Sequence, residues 1–208
     1  MSELTDTSTP ASTHGHVAET SMGVDSRKLG VWAFLGSECL FFSALITTYL
    51  VYKPVNVQQT TYQDPKEFLG IGLTSVLAAI LLASSLTMVL SLAAVRRNDQ
   101  RLFRIWLLAT AGLGLCFIGG QAYEFTKLYS EGVTLRSSMF GTTFFVLTGF
   151  HGTHVFIGVL WLLSVYLRSR RHPYSAHDYM DVELAGLYWH FVDLVWVVIF
   201  TLIYLLPD

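Results

Sequence analysis

The stretch that most narrows what this chain can fold into is Ser137 to Leu167, SSMFGTTFFVLTGFHGTHVFIGVLWLLSVYL. It runs for thirty-one residues without Asp, Glu, Lys or Arg, yet carries His151 and His154 near its middle. As a helix rising about 1.5 Å per residue it reaches roughly 46 Å, more than the roughly 30 Å hydrocarbon core of a bilayer, so it predicts a tilted transmembrane helix. The two histidines then lie deep in the membrane. At i, i+3 spacing they share a face with Gly158 and Trp161, and polar groups at that depth have to look toward other protein. The remaining segments are therefore read as partners for that face.

Four more apolar runs qualify as spans: Leu29 to Tyr52, Phe68 to Val95, Ile105 to Tyr123 and Leu184 to Leu206. The chain is 52% hydrophobic and only 13% charged, which sets it apart from a soluble domain of 208 residues. The predicted fold class is all-α, an integral membrane bundle of five transmembrane helices. Residues 1–28 hold no apolar core of a signal peptide and are expected to be a disordered tail, with 29–208 as the single helical domain. His14 and His16 in that tail are not expected to bind a metal. Cys39 and Cys116 fall inside apolar runs and are read as free core thiols. In the second run Ser75, Ala79, Ala83, Thr87 and Ser91 recur every four residues and predict a face for close helix packing. Gly112, Cys116 and Gly120 do the same in the third.

Five spans put the termini on opposite sides of the membrane. With the N-terminus inside, nine of the thirteen basic residues lie on inner segments: Arg27, Lys28, Arg96, Arg97, Arg101, Arg104, Arg168, Arg170 and Arg171. The outer segments keep Lys53, Lys66, Lys127 and Arg136. The positive-inside rule then predicts N-in, C-out, and a net charge of -2 gives no sign of a nucleic-acid partner.

The few polar residues within the spans carry the functional reading. Counted along their helices, Glu38, His154, His190 and Asp193 all fall about 9 to 20 Å below the inner surface, close enough in depth to meet. A lone carboxylate there costs several kcal/mol unless it is protonated or paired, so Glu38 is expected to pair with His154 and His190 with Asp193. Glu124, three residues before Lys127, reads either as half of an interfacial ion pair or as a buried polar position. A di-iron bundle needs Glu-x-x-His on two helices, and neither His154 nor His190 has a Glu three residues before it. Three uses of these groups stay open: a metal or haem site, a proton relay through Glu38 and the histidines, and a hydrogen-bonded lock between helices. A free-standing transporter would be expected to show an internal repeat and broken helices, and the chain has no repeat, with its prolines at helix ends or in loops.

WAFLGSECLFFSALITTYL, GQAYEF, FFVLTGFHGTHVFIGVLW and YWHFVDLVWVVIFTLIYL, in this order, resemble subunit III of the haem-copper oxidases, most closely that of cytochrome c oxidase. The resemblance covers Leu29 to Leu206. The family's usual form has seven helices, and this chain is similar to the shorter bacterial form that keeps the last five. What the resemblance implies is a subunit without a redox centre. Haems and copper belong to subunits I and II, and this sequence has neither a Cys-x-x-x-Cys pair nor a His-Pro-Glu signature. Glu38 matches the family's carbodiimide-reactive carboxyl, and His151, His154, Glu124, His190 and Asp193 match its other intramembrane polar positions. The resemblance further implies bound phospholipid, contact with subunit I and with subunit II, possible contact with a small subunit IV, and a place in a bacterial plasma membrane. The electron donor, cytochrome c or a quinol, acts through other subunits; VELAGLYWHFVD favours the cytochrome c branch.

Overall fold

The structure is a computed structural model in which residues 25–57, 71–130, 139–176 and 178–205 are described. Five long helices follow one another: α1 Ser26–Val57, α2 Ile71–Arg96, α3 Gln100–Ser130, α4 Met139–Arg171 and α5 Met180–Phe200, the last continued by a π-helical turn at Thr201–Leu205. Each contains a segment long and apolar enough to cross a membrane. Of the expected tail, residues 1–24 lie outside the described residues, with His14 and His16 among them, and α1 starts at Ser26 rather than Leu29.

The connection between α2 and α3 is short and that between α4 and α5 is longer. The Arg96 to Arg104 segment shrinks to a turn at residues 97–99, because Asn98 adopts a left-handed φ of 61° and the Asp99 carboxylate caps the next helix by accepting from Leu102 N at 3.0 Å. The Asn98 side chain also accepts from Ala176 N at 2.9 Å, hooking this turn onto the segment between α4 and α5. Further ties gather at the same end of the bundle: Lys28 with Glu183 at 2.6 Å, Arg168 with Asp181 at 2.7 Å, and Arg96 over the Tyr179 ring. These ties join α1, α2 and α4 to the start of α5. α2 packs on α3 and α5, α3 on α4, and α4 on α5, while α1 rests against α4 and α5.

Trp189 of α5 is the centre of that packing. Its fully buried indole lies against two glycines, Gly114 of α3 and Gly158 of α4, and a Cβ at either would stand under 3 Å from the ring. Its Nε1 donates to Ser84 Oγ of α2 at 2.9 Å. Four helices thus meet on one side chain, and the absence of two β-carbons is what lets them approach. α5 is accordingly the most buried span, with 50% of its most apolar stretch inside the bundle against 11% for α1.

Three expectations about faces need correction. Ser75, Ala79 and Ala83 of the α2 stripe are exposed on the outside of the bundle, and only its end at Ser91 is buried. The face of α2 that packs is one position over, at Thr74, Leu77, Ala78, Leu81, Ser84 and Met88. On α3, Gly112 and Cys116 are likewise exposed, and of the three predicted residues only Gly120 meets a neighbour, the Leu77 side chain. Cys39 and Cys116 are free but sit on the outer surface, not in the core. The reason is common to all three: in a membrane the outer surface is as apolar as the interior, so small or apolar character does not distinguish them.

Candidate functional site

Glu38 projects from α1 toward α4, where its Oε2 lies 3.1 Å from His154 Nε2. The other ring nitrogen, Nδ1, lies 2.7 Å from the carbonyl of Phe150, one turn back on α4. A carbonyl only accepts, so Nδ1 carries a hydrogen and donates. One proton then remains for the contact between Nε2 and Oε2. It resides on the carboxyl of a neutral pair or on the ring of an ion pair, and in both forms the pair as a whole is uncharged. That is how two ionisable groups persist at this depth. Phe41 and Phe42 pack against the imidazole, Phe42 edge-on at 5.0 Å. The Glu38 and His154 side chains keep 18% and 14% of their surface, so the pair opens sideways at the α1–α4 seam rather than being sealed.

The six polar positions picked from the sequence do not form one cluster. His151, one turn from His154, is fully buried in a box of rings: Trp196 stacks on it at 4.9 Å with 24° between planes, and Phe117 meets it edge-on at 5.7 Å. Neither of its nitrogens has a hydrogen-bond partner among the described residues. The expected pairing of His190 with Asp193 is not formed. His190 Nδ1 instead shares a hydrogen bond with Ser85 Oγ of α2 at 2.7 Å. The Asp193 carboxyl is buried and faces Ser85 of α2, the hydroxyl that also meets His190. Side chains at i, i+3 run side by side along a helix, whereas a hydroxyl from a neighbouring helix can meet the ring head-on.

Glu124 lies elsewhere, toward the end of the bundle opposite the basic residues. Its carboxyl is turned inward, with Oε1 accepting from Thr74 Oγ1 of α2 at 3.0 Å and from Tyr204 OH at 3.1 Å. The π-helical turn at Thr201–Leu205 carries Tyr204 to this position. Ser85, Thr74, Tyr204, Gln121 and Trp196 were not singled out from the sequence. Gln121 and Glu124 do share the stretch GQAYEF, where a second buried polar residue one turn from the first was a usable signal.

The chemistry available is proton holding and helix locking. The donor set does not fit a haem or copper site. Both nitrogens of His154 and Nδ1 of His190 are engaged, and His151 is enclosed by rings. Among the described residues no three His, Cys, Asp or Glu side chains gather closely enough to hold a metal ion.

Five membrane-length helices, locked by polar pairs at their seams, define a multi-pass helical membrane protein built to pack on itself and present broad apolar faces outward. Residues 3–207 match the family described as cytochrome c oxidase subunit III. The chain belongs to that family. It is 42% identical to cytochrome c oxidase subunit 3 of Synechocystis sp. over 99% of this chain and 84% of the relative. It is 40% identical to cytochrome c oxidase subunit 3 of Thermostichus vulcanus over 88% of each chain. Quinol oxidase subunit 3 of Bacillus spizizenii is 36% identical over 86% of each.

Proposed function

We propose that this chain is the non-redox subunit III of a proton-pumping haem-copper terminal oxidase, a cytochrome c oxidase, in the inner (plasma) membrane of a bacterium. The match to the family across residues 3–207 carries the reading, and the Glu38–His154 pair is consistent with it. In this role the chain holds no haem or copper itself. It packs its exposed apolar faces against subunit I, with subunit II and a small subunit IV as further neighbours and phospholipid filling the remaining seams. It supports stability, oxygen access and proton uptake of subunit I. Gathering basic side chains at one end supports an N-in, C-out orientation. The test is purification from membranes through a tag on this chain: a haem-bearing large subunit should co-isolate, and a colourless chain with transport activity would refute the proposal. A reporter fused after Asp208 should be active only outside the cell.

The relative named quinol oxidase subunit 3 supports a second reading in which the complex oxidises a quinol. Donor choice lies in other subunits. Assaying the purified complex with reduced cytochrome c and with a quinol separates the two.

A further inference from the structure

We propose that Gln121 and Glu124, one turn apart on α3, hold a small cluster of resident water molecules. The two residues are 5% and 3% exposed and lie one turn apart on the same face of α3. Glu124 Oε1 already accepts from Thr74 and Tyr204. Its Oε2, together with both Oε1 and Nε2 of Gln121, is sealed from the surface without a hydrogen-bond partner among the described residues. Three unmet polar atoms within one helical turn are costly, since buried amides and carboxyls in folded proteins find protein or water partners.

The pattern of these atoms selects the ligand. Gln121 Nε2 is a donor, while Gln121 Oε1 and Glu124 Oε2 are acceptors, or Oε2 a donor when that carboxyl is protonated. Water both donates and accepts. One molecule accepts from Nε2 and bonds to Glu124 Oε2, and a second donates to Gln121 Oε1 and bonds to the first. Exchanging the two amide atoms leaves the scheme intact. Each molecule then has the two or more polar contacts that a buried water requires. A metal cation would use the oxygens and leave the amide N–H groups facing a positive charge. A lipid headgroup or peptide is too large for atoms closed off on every side.

Two measurements on the full chain, with the subunits that co-purify, decide the matter. Electron cryomicroscopy at a resolution that shows waters should reveal density within hydrogen-bond distance of both Gln121 Nε2 and Glu124 Oε2. Well-resolved side chains with no such density would overturn the proposal, and so would a peak contacted by oxygens alone, the mark of a cation. The near-isosteric Gln121→Met change reads the same question through stability. If the amide is hydrated, the change forfeits water-mediated bonds and Tm falls by about 2–4 °C. If the amide is dry, the change removes an unsatisfied group and Tm rises, which refutes the cluster.

Discussion

Adding one methyl group at Gly114 should disturb the bundle more than any surface change, and the neighbouring Gly112 supplies the control. A Cβ at Gly114 would stand 2.6 Å from Trp189 Cη2 and 2.9 Å from Val159 Cγ2. Carbon atoms in ordinary contact are about 3.5–4.0 Å apart, so the overlap approaches 1 Å. The indole has little room to yield. Its Nε1 is tied to Ser84, and its other edge already stands where a Cβ at Gly158 would be 2.9 Å away. Overpacking of this kind costs about 1–3 kcal/mol. At about 2–4 °C per kcal/mol for a chain of this size, Gly114→Ala should lower Tm by roughly 2–12 °C. At Gly112 an added Cβ meets nothing within 4 Å, and replacing a mid-helix glycine gains up to about 1 kcal/mol of helix propensity. Gly112→Ala should therefore leave Tm unchanged or raise it slightly. Thermal melts of both variants in the same detergent, followed by tryptophan fluorescence, compare them directly. Equal losses at the two positions, or no loss at Gly114, would refute the argument that the Trp189 contact sets the helix spacing.

Glu38→Ala should leave His154 without its partner while the haem spectrum of the complex stays unchanged, and activity should decay faster during turnover; oxygen consumption followed to completion checks this, and a sustained wild-type rate counts against it. Tyr204→Phe and Thr74→Val each remove a donor to Glu124 Oε1 and should each cost about 1 kcal/mol, with a double variant that departs from the sum because the two share one acceptor. Outside the spans, burial, reinforced by Asp181 and opposed by Arg168, pushes the Tyr174 hydroxyl up to about 12. The folded state therefore keeps this proton to higher pH than the unfolded chain, so the stabilisation is intact below about pH 10 and is lost as pH rises toward 12. Alkaline melts should show a shallower loss for Tyr174→Phe than for the unaltered chain.

The existence of the five helices was legible because membrane spans announce themselves by length and lack of charge alone. The pairing of Glu38 with His154 was legible for a related reason: few ionisable groups lie at that depth, and each needs a partner. Which way each helix turns was not. Ser75, Ala79 and Ala83 form as regular a stripe as the buried set from Thr74 to Ser84, and nothing in composition separates a face that meets its own bundle from one that meets its surroundings. The partner of His190 was missed because serine is common in membrane helices and usually bonds its own backbone, as Ser84 also does with Leu81 O at 2.6 Å. The start of α3 was not legible either, because Arg96 to Arg104 is charged and the apolar run begins only at Ile105. In the structure Arg101 and Arg104 extend α3 beyond its apolar stretch, with Arg104 reaching the Ser169 carbonyl.

The seat of α1 on α4 and α5 gives the chain's synthesis a definite order. Glu38 is separated from His154 by 116 positions, so the carboxyl enters the membrane long before the imidazole exists. At about 5–20 residues per second of translation, the interval is roughly 6–23 s. During that time α1 has to keep its acid neutral, shelter it against the insertion machinery, or lean on another subunit that is already in place. The last two helices to be made are therefore the ones that bring the first into position, and a chain truncated before α4 leaves α1 in the bilayer with its one acidic residue unpaired.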